Sequence, residues 1–201
     1  EAWYRAHFER HTQGARRRSF EATPLYLFNP LAPARISAML PQAKLIVLLR
    51  NPVQRAISQY FHECRLGCER LPMLAAFQAE EARLAPALAS GEYKAHSFVH
   101  HSYKRRGLYK QKLDAFAARF PSSQLLVLDS ERIFRAPRET LRGVFEFLEV
   151  APDFEVQDLS PRNASGATDA VDLEVLEHLN DYFREANREL YEATGIGGDW
   201  Q

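Results

Sequence analysis

Residues 44–62 read KLIVLLRNPVQRAISQYFH, and the change of pattern inside this stretch decides the fold. The apolar run Leu45–Leu49 does not alternate, which predicts a parallel strand covered on both faces. The run breaks at Arg50-Asn51-Pro52. Proline suits the first turn of a helix, where its missing N–H leaves no hydrogen bond unmade. A helix from Pro52 carries Ser58 about two turns beyond Arg50. Arg50 then stands at the carboxyl end of a strand, the edge at which open α/β sheets bind ligands. A guanidinium forks onto phosphate oxygens and a hydroxyl adds a further bond, so the pair reads as an anion site, with phosphate the expected occupant. The competing reading is a strand-end arginine paired to a carboxylate.

Working outward, helical spacing is expected over 1–11, 30–40, 71–88, 108–120, 137–148 and 169–194. Strands are expected over 19–23, beside the central pair, and over 124–129. Residues 92–105 are aromatic and histidine-rich without clear period, and are expected to form a loop over the cleft. In the last helix Leu173, Leu176, Leu179, Phe183, Ala186 and Leu190 form the apolar stripe. Strands and helices in this alternation imply right-handed crossovers and a parallel sheet with helices on both faces, an α/β fold.

The 201 residues suit one domain, 1–201, with ample length for a core. Basic and acidic residues balance at 26 each, so no global field argues for nucleic acid or a membrane surface. Lys104-Arg105-Arg106 is either a solvated loop or the edge of a cleft for an anion. Cys64 and Cys68, four apart on an expected helix, are poorly placed for a disulfide and read as free thiols. His62 lies close to them, but one histidine and two cysteines on one helix are weak as a metal site, and His96, His100 and His101 lack regular ligand spacing. No metal is expected. No apolar run reaches membrane-spanning length, and a cytoplasmic location is the expectation. The oligomeric state is not legible.

A set of short segments recurs in order along the chain. It comprises Glu21-Ala22-Thr23-Pro24-Leu25-Tyr26, Ala34-Arg35-Ile36, Arg50 with Ser58, and Arg106-Gly107-Leu108-Tyr109 followed by Leu113. Gln124 to Asp129 follows, then Arg162-Asn163-Ala164-Ser165-Gly166 and, after the long helix, Trp200. This order resembles the sulfotransferases that use 3′-phosphoadenosine 5′-phosphosulfate (PAPS), above all the heparan-sulfate type and its bacterial relatives, nearly end to end. The resemblance implies a three-layer parallel sheet of the P-loop nucleotide-binding type. It also implies transfer of a sulfonate from PAPS to a hydroxyl or amine of an acceptor such as a carbohydrate, without a metal.

Residue by residue, the resemblance implies that Arg50 and Ser58 hold the 3′-phosphate and that His62, one turn on, lies near the transferred sulfonate. Gly107 and Tyr109 would approach the adenine or its ribose, with a core role for Tyr109 equally open. Arg162, Asn163 and Ser165 would close over the nucleotide phosphates, or form an ordinary polar loop. Glu21 either acts as a base or pairs a nearby arginine, and Ala22 stands where relatives often carry a lysine. The family's first strand, its Pro-Lys-x-Gly-Thr-Thr loop and the glutamate base that follows have no counterpart in the sequence. Trp3-Tyr4 matches a pair that follows those elements, so they are expected upstream of Glu1. Two further readings stay open, a non-catalytic nucleotide-binding module and an α/β small-molecule kinase with its own glycine-rich loop.

Overall fold

The computed structural model describes residues 19–159 and 171–200, together with Ala6. Strands β1 (Leu45–Leu49) and β2 (Leu125–Asp129) pair in parallel, Leu45 opposite Leu125 and Leu49 opposite Asp129. A parallel pair needs a long crossover, here α3 (Pro52–Arg65), α4 (Met73–Ser90), α5 (His96–His100) and α6 (Tyr109–Ala117). Before β1 come α1 (Leu25–Phe28) and α2 (Ala32–Met39). After β2 come α7 (Ser130–Arg135), α8 (Pro137–Leu148) and the long α9 (Leu173–Thr194). The α/β class and the central strand pair match the reading of the sequence.

The pleat sorts the strand residues. Leu49, Val47 and Val127 pack against Tyr109, Leu113, Leu190 and Trp200, while Leu45 and Leu125 pack on Phe116 and Phe120. On the opposite face Ile46 and Leu48 are exposed, so the expected cover on both faces is complete on one only among the described residues. There α8 stands off β2 across a cleft of about 350 Å³ lined by Leu126, Leu128, Thr140 and Gly143. A second core joins Val53, Ala56 and Ile57 of α3 to Ala76 and Phe77 of α4, Tyr103, and Val175, Leu179 and Phe183 of α9. α9 thus bridges both cores. Its stripe differs from the expected one at the start, where Val175 is buried and Leu173 exposed.

Three further expectations are corrected. Residues 19–23 form no strand; they run irregularly into a turn at Pro24, with the Tyr26 N–H bonded to the Thr23 carbonyl. Residues 92–105 are not a loop over a cleft. They hold α5, and Phe98, Ser102, Tyr103 and Lys104 are buried. In the Lys104-Arg105-Arg106 cluster only Arg105 stays at the surface, paired to Glu81; Lys104 is buried, and Arg106 turns inward onto Ser102, Gln59 and the Val99 carbonyl. The expected helix 1–11, apart from Ala6, and the loop 160–168 lie outside the described residues. None of the described helices is long and apolar enough to cross a membrane.

Buried carboxylates hold the 92–105 segment in place. Glu80 accepts the Lys104 and Arg105 N–H groups at 2.6 and 2.8 Å. Glu69 accepts the Tyr103 hydroxyl at 2.8 Å, the Arg83 guanidinium at 2.5 Å and the Arg70 and Leu71 N–H groups. Burial pushes Glu80 up to about 7, the two backbone N–H groups offsetting only part of it. Burial pushes Glu69 up as well, but its Arg83, Leu71, Tyr103 and Arg70 donors outweigh that and bring it to about 2.

The two act in opposite directions on stability. For Glu69 the unfolded chain protonates first on acidification, so its contribution is present above about 4.5 and lost as pH falls towards about 2. For Glu80 the folded protein keeps a proton that the unfolded chain has released, so stability falls as pH rises from about 4.5 to about 7. Each effect is worth about 3 kcal/mol over its full window. Urea midpoints measured from about pH 3 to about pH 8 are expected to peak near pH 4.5–5. Glu80→Gln is expected to flatten the decline towards neutrality; a wild-type profile that climbs steadily to pH 7 would contradict the Glu80 assignment, and one flat between about pH 3 and pH 4.5 that of Glu69.

Candidate functional site

The site begins where β1 stops. The Asn51 side chain accepts the Val53 and Gln54 N–H groups at 2.9 and 3.2 Å, and Pro52 occupies the first turn, so α3 starts sharply two residues after the strand. Arg50 lies between the two elements, half-buried, at the carboxyl edge of the sheet and beside the positive end of the α3 dipole. Its carbonyl accepts the Tyr109 hydroxyl at 2.8 Å. Among the described residues its guanidinium has no hydrogen-bond or ion-pair partner, and neither has the Ser58 hydroxyl. Ser58 is half-buried, and His62, four residues on and on the same helical face, is exposed.

The adjoining face of α3 is polar and inward. Arg55 donates to the Tyr103 carbonyl at 3.0 Å and to Gln59 at 2.6 Å, and Gln59 donates to buried Glu63 at 2.8 Å. Arg106 joins the same network. Burial lowers Arg55 and brings Arg106 to about 10, and it brings Lys112 to about 7 with the charges of Arg55 and Arg105 adding to the effect. Lys112 is held by the Arg105 and Leu108 carbonyls. This inner group of cations escaped the reading of the sequence. The spacing of Arg55, Gln59 and Glu63, each four residues from the next, was the signal for it.

The remaining expected site residues fall into three places. Tyr109 is buried in the core beneath the sheet edge, edge-to-face with Trp200 at 6.2 Å, so its hydroxyl braces Arg50 and its ring fills the core. Gly107 is buried too. A Cβ there would meet the Pro52 side chain at 2.7 Å and the Phe183 ring at 2.7 Å, which makes it the contact that lets the 104–107 turn close on the start of α3. Both positions thus act on the site from behind. Glu21 accepts the Tyr26 and Thr23 hydroxyls and holds the turn before α1. Arg162, Asn163 and Ser165 lie outside the described residues. A cleft of about 450 Å³ at the end of β2, lined by Asp129, Arg132, Arg135 and residues 194–199, contains neither Arg50 nor Ser58.

Four similarities bear on the site. The model of the sulfotransferase domain family matches residues 3–200. The chain is 31% identical to mouse (Mus musculus) heparan sulfate glucosamine 3-O-sulfotransferase 3A1, over 99% of this chain and 53% of that protein. It is likewise 31% identical to human (Homo sapiens) heparan sulfate glucosamine 3-O-sulfotransferase 6, over 99% of this chain and 60% of that protein. The chain therefore spans little more than half the length of these relatives. Among solved structures, a sulfotransferase from Alicyclobacillus acidocaldarius superposes with a TM-score of 0.77 at 27% identity, over 96% of this chain and 70% of that one.

Two substitutions test the support of the site apart from any ligand. Gly107→Ala forces Pro52 and Phe183 apart and is expected to cost about 1–3 kcal/mol. Tyr109→Phe keeps the ring and removes one hydrogen bond, and is expected to cost about 1 kcal/mol. Urea denaturation reads both; a Gly107→Ala protein as stable as wild type would show that the turn does not press on α3.

Proposed function

The chain belongs to the sulfotransferase domain family, and from that premise we propose that it binds PAPS and directs its sulfonate to a hydroxyl or amine of a carbohydrate acceptor. One observation carries the reading: the Arg50 guanidinium, without a partner among the described residues, and the Ser58 hydroxyl stand at the carboxyl edge of a parallel sheet where a capped helix begins. A dianionic 3′-phosphate suits that pair, since a guanidinium fork and a helix N-terminus both favour it. Similarity to enzymes named for heparan sulfate glucosamine supports the carbohydrate acceptor. The parallel β1–β2 pair, packed on helices, supports a single domain of the P-loop nucleotide-binding type.

In this reading Arg50 and Ser58 grip the donor at the 3′-phosphate, away from the reacting sulfur. Their part is to fix the nucleotide so that the acceptor attacks in line, which is an effect of position. His62 is exposed one turn further along α3, free to exchange a proton with an incoming group. Glu21 already accepts two hydroxyls, which favours the holding role over that of a base. Arg162, Asn163 and Ser165 are read as closing on the phosphates.

Calorimetry with adenosine 3′,5′-bisphosphate and adenosine 5′-phosphate tests the clamp. Wild type is expected to prefer the bisphosphate. Arg50→Ala is expected to lose about 1.5–3 kcal/mol for the bisphosphate and little for the monophosphate. Equal affinity of wild type for the two nucleotides would overturn the assignment.

A further inference from the structure

The spacing of Cys68, His96, His100 and His101 along the chain argues against a metal, but the fold brings three of them together. α3 ends at Arg65, and Gly67, at φ 73°, turns the chain so that Cys68 stands beyond the helix. There its N–H bonds to the Glu63 carbonyl at 2.9 Å and its carbonyl accepts the His101 Nε2–H at 3.0 Å. α5 supplies His96 and His100, four apart on one face, with ring centroids 4.5 Å apart. One ligand atom from each of Cys68, His96 and His100 lies within 4.8 Å of the other two.

We propose that Cys68, His96 and His100 bind one Zn²⁺ ion, with the fourth position open to water. Zinc–sulfur and zinc–nitrogen bonds of about 2.3 and about 2.0–2.1 Å set tetrahedral ligand atoms about 3.5 Å apart, so the required closure is about 1 Å. Half-exposed Cys68 and exposed His96 have room for that rotation. One thiolate with two imidazoles is a donor set that suits zinc.

The surroundings are built to match. Glu63 is buried, and its carboxylate accepts the His100 Nδ1–H at 2.8 Å while its other oxygen accepts from Gln59. That bond fixes the tautomer and leaves the Nε2 lone pair for a metal, as the usual outer partner of a metal-bound histidine does. The cluster also lies at the far end of α3 from Arg50, about 20 Å along a 14-residue helix. The ion is therefore a clip between the end of α3 and α5 and takes no part in the anion site.

Co²⁺ titrated into metal-free protein is the probe. The expected result is a 1:1 complex with a thiolate-to-cobalt charge-transfer band and intense tetrahedral visible bands, displaced by Zn²⁺. Cys68→Ser is expected to abolish the thiolate band and Cys64→Ser to leave it unchanged. His96→Gln, at an exposed position, is expected to weaken binding by at least the roughly 10–100-fold that loss of an outer partner costs. No thiolate band in wild type, a band that survives Cys68→Ser, or wild-type affinity in His96→Gln would each overturn the proposal.

Discussion

A single hydrogen bond fixes the place of everything that matters at the sheet edge: the Tyr109 hydroxyl to the Arg50 carbonyl. The last peptide of a strand that is about to become a helix has no ladder partner beyond it, and a buried carbonyl left unpaired costs about 1–3 kcal/mol. Tyr109 supplies the donor from the first residue of α6. It arrives there because Gly107 lets the preceding turn touch Pro52 and Phe183, and because Glu80 has captured the first two amides of that turn. The line from Glu80 through residues 104–109 to Arg50 is thus a mechanical chain of side-chain contacts onto the backbone. It ends at Arg50, whose guanidinium has no partner among the described residues.

Polar groups carry an unusual share of this architecture. Arg55, Gln59 and Glu63 form a bonded row on the inward side of α3, and Glu69 ties Tyr103 and Arg83 to the turn that follows the helix. Networks of this kind specify register when every member is satisfied and destabilise when one is lost. The apolar side of α3, with Val53, Ala56 and Ile57, supplies the burial energy. The polar side decides which segment may lie against it. One helix therefore faces three ways: to the core, to the 99–106 segment, and, through Ser58 and His62, outward.

Strong periodic signals were read correctly from the sequence, and positions decided by tertiary contacts were not. The break at Arg50-Asn51-Pro52 combines a change of period, a cap residue and a proline, and it located β1, α3, Arg50 and Ser58. Residues 19–23 carry β-compatible types but no strand to pair with among those described, so a local preference lost to geometry. Residues 92–105 looked like a loop because their burial depends on Glu80, Glu69 and Glu63, carboxylates far away in sequence. α7 was missed although Asp129 caps it by accepting the Glu131 N–H at 2.9 Å. Gly107 and Tyr109 stood out by resemblance, but nothing in their neighbours indicates that they act from behind the site.

Placement of Arg50 by Tyr109 is open to a direct measurement, a double-mutant cycle on adenosine 3′,5′-bisphosphate affinity across wild type, Tyr109→Phe, Arg50→Ala and the double variant. If the hydroxyl acts by positioning Arg50, Tyr109→Phe weakens binding in the wild-type background and changes nothing once Arg50 is alanine, so the two effects are coupled. Losses that simply add, with Tyr109→Phe as costly without Arg50 as with it, would contradict that link.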